Sequence, residues 1–243
     1  MWNGKTVSVV FPAYNEAENI RAAIEDFFST GYVDSVLVVN NNSKDGTLEE
    51  IKKTKASFVN EERQGYGYAV RRCLMEGRGD YLVLAEPDGT FSGKDVLKLL
   101  AYCDDFDMVM GTRTAKDLIW SGANMGLFLR WGNWAVAKML ELLFSGPSLT
   151  DVGCTMRLIK RDALNKIQGQ FTVTGSHFLP EMTTLAILNK LKIVEIPLNY
   201  KERIGTSKIT GRKIKAFRLG MRMISLIIGY RFRNWFCQKS RDD

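Results

Sequence analysis

The sequence predicts an α/β fold built on a mainly parallel central sheet flanked by helices, and three observations predict it. Short β-branched runs alternate with helical spacing of apolar residues through the first half of the chain. Each of those runs ends in polar or glycine-rich residues, at 12–16, 40–47 and 86–90, where an open parallel sheet places its ligand crevice. The chain has 243 residues, 45% of them hydrophobic, enough to bury one sizeable core.

Taken in order, residues 7–11 read as a strand, 17–28 as a helix, 35–39 as a strand, 47–53 as a helix, 69–76 as a helix and 81–85 as a strand. Ser43 and Asp45 supply candidate caps for the helix that starts at Thr47, and Gly46 relieves the turn. A strand at 107–111 follows, and then the pattern changes to a long apolar and aromatic helical stretch over 118–144. A loop at 150–155, a strand at 156–159, a helix near 179–189 and a strand at 193–197 complete this part. From Ile214 onward, Ile214, Phe217, Met221, Ile224, Ile227 and Ile228 share one helical face, and Lys215, Arg218 and Arg222 lie opposite. Such a basic amphipathic helix suits a membrane interface; a helix packing its apolar face on the core is the alternative. The expected organisation is a catalytic domain over 1–210 and a basic amphipathic segment over 211–243.

The net charge of +7 points to anionic partners such as nucleoside diphosphates or phospholipid headgroups. Nucleic acid is disfavoured, because the basic residues concentrate at the C-terminus among apolar ones and form no known recognition module. Cys73, Cys103, Cys154 and Cys237 are scattered singly and His177 is the sole histidine, so neither a zinc site nor a disulfide framework is expected. His177 itself reads as a structural residue near a helix start. The first residues show no charged leader before a long apolar run, and the richest apolar stretch is broken by Arg130, Lys138 and Glu141. The expectation is therefore a reducing, cytoplasmic setting without a spanning helix.

Chemistry concentrates at Glu86-Pro87-Asp88, two carboxylates at a strand terminus. Hard cations such as Mg²⁺ or Mn²⁺ take such oxygen ligands and share them with substrate phosphates.

Several separated motifs occur in a fixed order. They are Val9-Val10-Phe11-Pro12-Ala13-Tyr14-Asn15-Glu16, Val38-Val39-Asn40-Asn41-Asn42-Ser43-Lys44-Asp45-Gly46-Thr47, Gly79-Asp80-Tyr81 and Glu86-Pro87-Asp88-Gly89. In that order they resemble the inverting glycosyltransferase family 2, which has the glycosyltransferase A fold. The second half, with Thr150-Asp151-Val152-Gly153-Cys154-Thr155, Phe178-Leu179-Pro180-Glu181-Met182 and Arg203-Ile204-Gly205-Thr206-Ser207-Lys208, resembles its dolichyl-phosphate mannose synthase branch.

The resemblance implies transfer of a sugar from a nucleotide-sugar donor, of the GDP-mannose or UDP-glucose type, to a polyprenyl phosphate, with Mg²⁺ or Mn²⁺ held by Asp88 and Glu86. It places Pro12, Tyr14 and Glu16 beside the nucleotide, and Arg63 and Gly65, with Gly67, in a glycine-rich segment along the donor. Asn40 and Asn41 stand where the family has an Asp pair; their side-by-side donor and acceptor suit the edge of uracil or guanine. Glu86 replaces the usual first Asp, and Thr90 stands where the branch often has Gln. A phosphate acceptor needs cations rather than a general base, and Arg113, Arg130, Arg157, Arg203 and Lys208 are the candidates. Asp151 and Glu181 are expected to face the acceptor, as bases if it is a hydroxyl, and to orient the sugar or these cationic side chains if it is a phosphate. The alternatives are transfer to a sugar hydroxyl during surface-glycan assembly and an inactive nucleotide-binding homologue.

Overall fold

A computed structural model describes residues 1–123, 126–204 and 213–242, with the side chains of residue 213 and of 236–242 outside that description. Seven strands form one sheet in the order β3-β2-β1-β4-β6-β5-β7. They are β1 (Val7–Ala13), β2 (Ser35–Asn40), β3 (Ser57–Asn60), β4 (Tyr81–Leu84), β5 (Met108–Thr112), β6 (Arg157–Lys160) and β7 (Ile193–Pro197). All pairings are parallel except those of β6, which runs against both β4 and β5. Eight α-helices are described: α1 (Ile20–Phe28), α2 (Thr47–Lys52), α3 (Tyr66–Glu76), α4 (Asp95–Leu100), α5 (Leu127–Phe144), α6 (Arg161–Ile167), α7 (Phe178–Leu188) and α8 (Lys213–Asp242).

β1 is apolar along most of its length because both of its faces are covered. Val9 and Phe11 join the core cluster beneath α1 and α4, whereas Val10 joins the cluster formed with α3, α5, α6, α7 and α8. This is the continuous hydrophobic run expected of a parallel strand buried on both sides. Burying each such side chain contributes about 1.5–3 kcal/mol.

Several expectations shift. The apolar stretch from 118 becomes a 3-10 turn at Lys116–Leu118 and then α5, which starts only at Leu127. The cap position of α2 is Gly46 at φ 78°, and of the two candidates only Asp45 serves the helix, its Oδ1 accepting from the first helical amide, that of Thr47, at 3.1 Å. Ser43 Oγ accepts from the Asn15 amide, while Asp45 accepts from Thr47 and from the Ala17 amide. These two side chains therefore stitch the loop after β2 to the loop after β1. The helical face drawn from Ile214 is split as well. Ile227 is buried together with Met223 and Tyr230, whereas Ile214, Phe217, Met221 and Ile228 are exposed. Core packing and exposure thus fall on different faces of the same helix.

Candidate active site

β1 lies between β2 and β4, so the connections leaving β1 and β4 diverge and open a crevice at their C-terminal ends. A cavity of about 1100 Å³ occupies it. One half is lined by Pro12, Tyr14, Glu16, Asn41, Glu86 and Asp88; the other lies among α5, α7 and α8 and is lined by Phe128, Val136, Leu179, Phe217, Met221 and Met223. Arg113, Asn133 and Thr155 also reach it.

Three carboxylates converge in the polar half. Asp88 is buried, and its Oδ1 accepts from the Thr90 amide at 3.0 Å and from Thr90 Oγ1 at 2.5 Å. Its Oδ2 faces Arg203 Nη1 at 3.1 Å. The other terminal nitrogen of Arg203 donates to Glu16 Oε1 at 2.7 Å, and Asn19 Nδ2 donates to Glu16 Oε2 at 3.3 Å. Glu86 accepts from Thr155 Oγ1 at 3.0 Å. Burial pushes the Glu86 carboxyl well above its usual range, and the neighbouring Asp88 adds to the rise. Burial also raises Glu16, with Arg203 pulling it back. The site therefore concentrates negative charge that a cation would relieve.

The remaining expected residues divide between the cavity wall and the framework behind it. Arg113 lines the cavity and chelates buried Asp151 through Nε at 2.8 Å and Nη2 at 2.9 Å. Asp151 accepts in addition from the Gly153 amide, so it orients Arg113 and its own loop instead of facing a ligand. Glu181 is fully buried and accepts from the Thr172 amide and hydroxyl, from the Val173 amide and from the Tyr230 hydroxyl. It ties α7 to the preceding loop and to α8, and the expectation that it faces an acceptor is corrected.

Arg63 stays outside the cavity, bound bidentately to Glu61 and stacked 4.6 Å from the Tyr68 ring. Gly65 and Gly67 admit the backbone of Thr174: a Cβ on Gly67 would lie 2.5 Å from Thr174 C. Asn40 bonds to Asn60 and to the Ser43 amide, and Asn41 spends its amide on the 61–65 loop. The expected base-reading edge is therefore occupied internally. Arg130 donates to Thr114 O. Arg157 is fully buried, donating to Cys154 O at 2.5 Å, and is removed from the phosphate-binding candidates. His177 stands at the N-terminus of α7 with Nδ1 buried and without a hydrogen-bond partner among the described residues. Lys208 lies outside the described residues. Cys73, Cys103 and Cys154 are buried and free.

Sequence reasoning gave no role to Thr155, which fixes Glu86, or to Asn19, which fixes Glu16. Both stand in or beside the quoted motifs. Asn133 had no sequence signal, because only the packing of α5 brings it to the cavity.

Residues 8–168 match the profile described as Glycosyl transferase family 2. The low-salt glycan biosynthesis hexosyltransferase Agl6 of Haloferax volcanii is 32% identical over 213 residues, 84% of this chain and 50% of Agl6, so the chain spans half of that relative's length. The dolichyl-phosphate hexose transferase of the same organism is 28% identical over 84% of this chain and 86% of its own. Among solved structures, glucosyl-3-phosphoglycerate synthase from Mycobacterium tuberculosis, in complex with Mn²⁺, UDP and glucosyl-3-phosphoglycerate, superposes with a TM-score of 0.67 at 18% identity. That match covers 93% of this chain and 80% of the synthase. At that identity the likeness establishes the glycosyltransferase A fold. The sheet order, the crevice at the ends of β1 and β4 and the family match over two-thirds of the sequence together make this chain a member of glycosyltransferase family 2.

Proposed function

We propose that the chain is a metal-dependent, inverting hexosyltransferase that moves a sugar from a nucleoside-diphosphate donor to a polyprenyl phosphate at the cytoplasmic face of a membrane. The observation that carries this reading is the asymmetry of the cavity. Its polar half gathers Glu16, Glu86 and Asp88, whereas the half among α5, α7 and α8 is apolar. The two acids expected to face the acceptor, Asp151 and Glu181, are engaged by Arg113 and by the 172–173 loop with Tyr230. An acceptor hydroxyl would need a base there. An acceptor phosphate is already anionic near neutral pH and needs only cations, which Arg113 and Arg203 provide.

Glu86 and Asp88 would hold Mg²⁺ or Mn²⁺, and the donor set fits. Buried Asp88 and half-buried Glu86 sit close enough for one to alter the other's proton affinity, and among the described residues no cluster of three or more His, Cys, Asp or Glu completes an all-protein cage. Hard cations bound through one or two carboxylates take their other ligands from substrate phosphates and water. When bound, such an ion offsets charge developing on the departing diphosphate. The chain's own part is positioning: Thr90 and Thr155 fix the carboxylates, Asp151 fixes Arg113, and the apolar half excludes water around a prenyl chain. Lys215, Arg218 and Arg222 on α8, beside exposed Phe217 and Met221, support docking of that helix on a lipid surface.

The test is transfer of label from GDP-mannose and UDP-glucose into organic-extractable product, with Mn²⁺ and a short prenyl phosphate supplied or withheld. Label is expected in the lipid phase only when both are present. Asp88→Asn is expected to cut the rate by at least about 100-fold while circular dichroism stays unchanged. The likeness to a glycan-biosynthesis hexosyltransferase favours a second reading, transfer to a sugar hydroxyl. Consumption of donor with a glycan acceptor, and none with the prenyl phosphate, would select it.

A further inference from the structure

We infer that Arg203 is a resident stand-in for the divalent cation, so that the ligand-free site takes a metal together with a diphosphate more tightly than a metal alone. This rests on the reading that Asp88 is a metal ligand.

Asp88 has one oxygen, Oδ1, fully engaged by Thr90, which leaves Oδ2 to face a cation. Arg203 Nη1 already occupies that oxygen at 3.1 Å, and the same guanidinium reaches Glu16 at 2.7 Å. A divalent ion approaching Oδ2 therefore meets a positive charge at contact distance, in a buried site where screening is weak.

The contact is not a casual rotamer of a long side chain. The Ile204 amide donates to Asp88 O at 3.0 Å, Asn19 Nδ2 donates to Ile204 O at 2.9 Å, and the Lys201 amide donates to Thr90 O at 2.9 Å. Gly89, at φ 78°, lies directly beneath Ile204, and a Cβ there would sit 3.1 Å from Ile204 Cδ1. The backbone on both sides of Arg203 is thus tied to the loop that carries Asp88. The resting arrangement is also incomplete, since Arg203 Nε is buried with no hydrogen-bond partner among the described residues. A diphosphate offers several acceptor oxygens to a guanidinium fork and would draw Arg203 off Asp88 Oδ2 as the metal arrives. Metal and diphosphate then bind with positive coupling, each improving the site for the other.

The experiment is a Mn²⁺ titration of the full chain followed by the electron paramagnetic resonance of the free ion, with and without UDP or GDP. Wild type, Arg203→Ala, Arg203→Lys, Asp88→Asn and the control Lys201→Ala are compared. Arg203→Ala is expected to bind Mn²⁺ alone at least about fivefold more tightly than wild type and to lose most of the gain that the nucleotide gives wild type. Arg203→Lys, which keeps the charge without the fork, falls between them, and Lys201→Ala matches wild type. If Asp88→Asn abolishes Mn²⁺ binding but Arg203→Ala binds metal alone no more tightly than wild type, the stand-in role is overturned and the metal site stands. If Asp88→Asn binds Mn²⁺ as wild type does, or no variant binds it, the metal reading falls and the inference falls with it.

Discussion

The Asn41 side chain makes four hydrogen bonds: its Nδ2 donates to Glu61 O and Arg63 O, and its Oδ1 accepts from the Gly65 amide and from Gln64 Nε2. An Asp in that position would turn a second acceptor oxygen toward two carbonyl oxygens. The departure from the family's Asp is therefore matched to how the 61–65 loop closes, and Asn41→Asp is expected to destabilise the fold by about 1–3 kcal/mol in guanidinium unfolding. The unusual residue was legible in the sequence, but its partners, 20–24 residues further on, were not. Asp80 shows a second residue-scale effect. Hydrogen bonds from the Thr6 amide at 2.8 Å and the Thr6 hydroxyl at 2.7 Å hold its carboxyl below the usual value of 3.8. A depressed carboxyl contributes stability that is present above its unfolded value and lost as pH falls through the folded one. The stability gap between wild type and Asp80→Asn is accordingly expected to be full at neutral pH and to shrink below about pH 4, as read from urea midpoints across pH.

α8 shows how an element can hold two roles on two faces. Ile227 and Met223 sink into the core beside α5 and α7, and the Tyr230 hydroxyl donates to buried Glu181 at 2.9 Å. Phe217 and Ile214 face outward, and Phe217 borders the apolar half of the cavity. The wheel drawn from Ile214 gathered both sets into one stripe, because periodicity reports that a face is apolar and not what covers it. The strands were more legible: each predicted strand exists to within a residue or two, since β-branched runs bounded by polar turns have few other uses. β3, α4 and α6 were not foreseen; β3 is a four-residue edge strand with mostly exposed side chains and so carries no apolar pattern. The same division predicts opposite outcomes on α8. Ile227→Ala is expected to cost about 2–5 kcal/mol in unfolding free energy. Phe217→Ser should leave stability within about 0.5 kcal/mol of wild type while lowering turnover of a long-chain prenyl phosphate more than that of a short, soluble one.

At the scale of the whole molecule, charge is divided unevenly along the chain. Residues 203–243 carry eleven Lys and Arg against two Asp, a net +9, whereas residues 1–202 carry 23 basic and 25 acidic residues, a net −2. The exposed apolar side chains are divided in the same way: of the eighteen large ones among the described residues, thirteen lie between Trp120 and Leu142 or between Ile204 and Trp235. Basic charge and exposed Trp131, Trp134, Phe217 and Phe232 thus occur in segments whose helices, α5 and α8, pack together at the apolar half of the cavity. No described helix is long and apolar enough to cross a membrane, and what these segments offer to a membrane carrying a lipid-borne phosphate is surface contact. Each Lys or Arg near an anionic leaflet contributes about 1 kcal/mol, and that contribution fades as salt shortens the Debye length from about 10 Å at 0.1 M to about 3 Å at 1 M. Apolar insertion is far less sensitive to salt. Co-sedimentation with phosphatidylserine-containing vesicles is therefore expected to be strong at low ionic strength, to weaken steeply toward 0.5 M salt and to be slight on pure phosphatidylcholine. Trp131→Ser should lower the residual binding at high salt, and Arg218→Glu should lower the salt-dependent part. Binding indifferent to both lipid charge and salt would mean that the basic segment serves another anion and that the acceptor reaches the cavity without the surface.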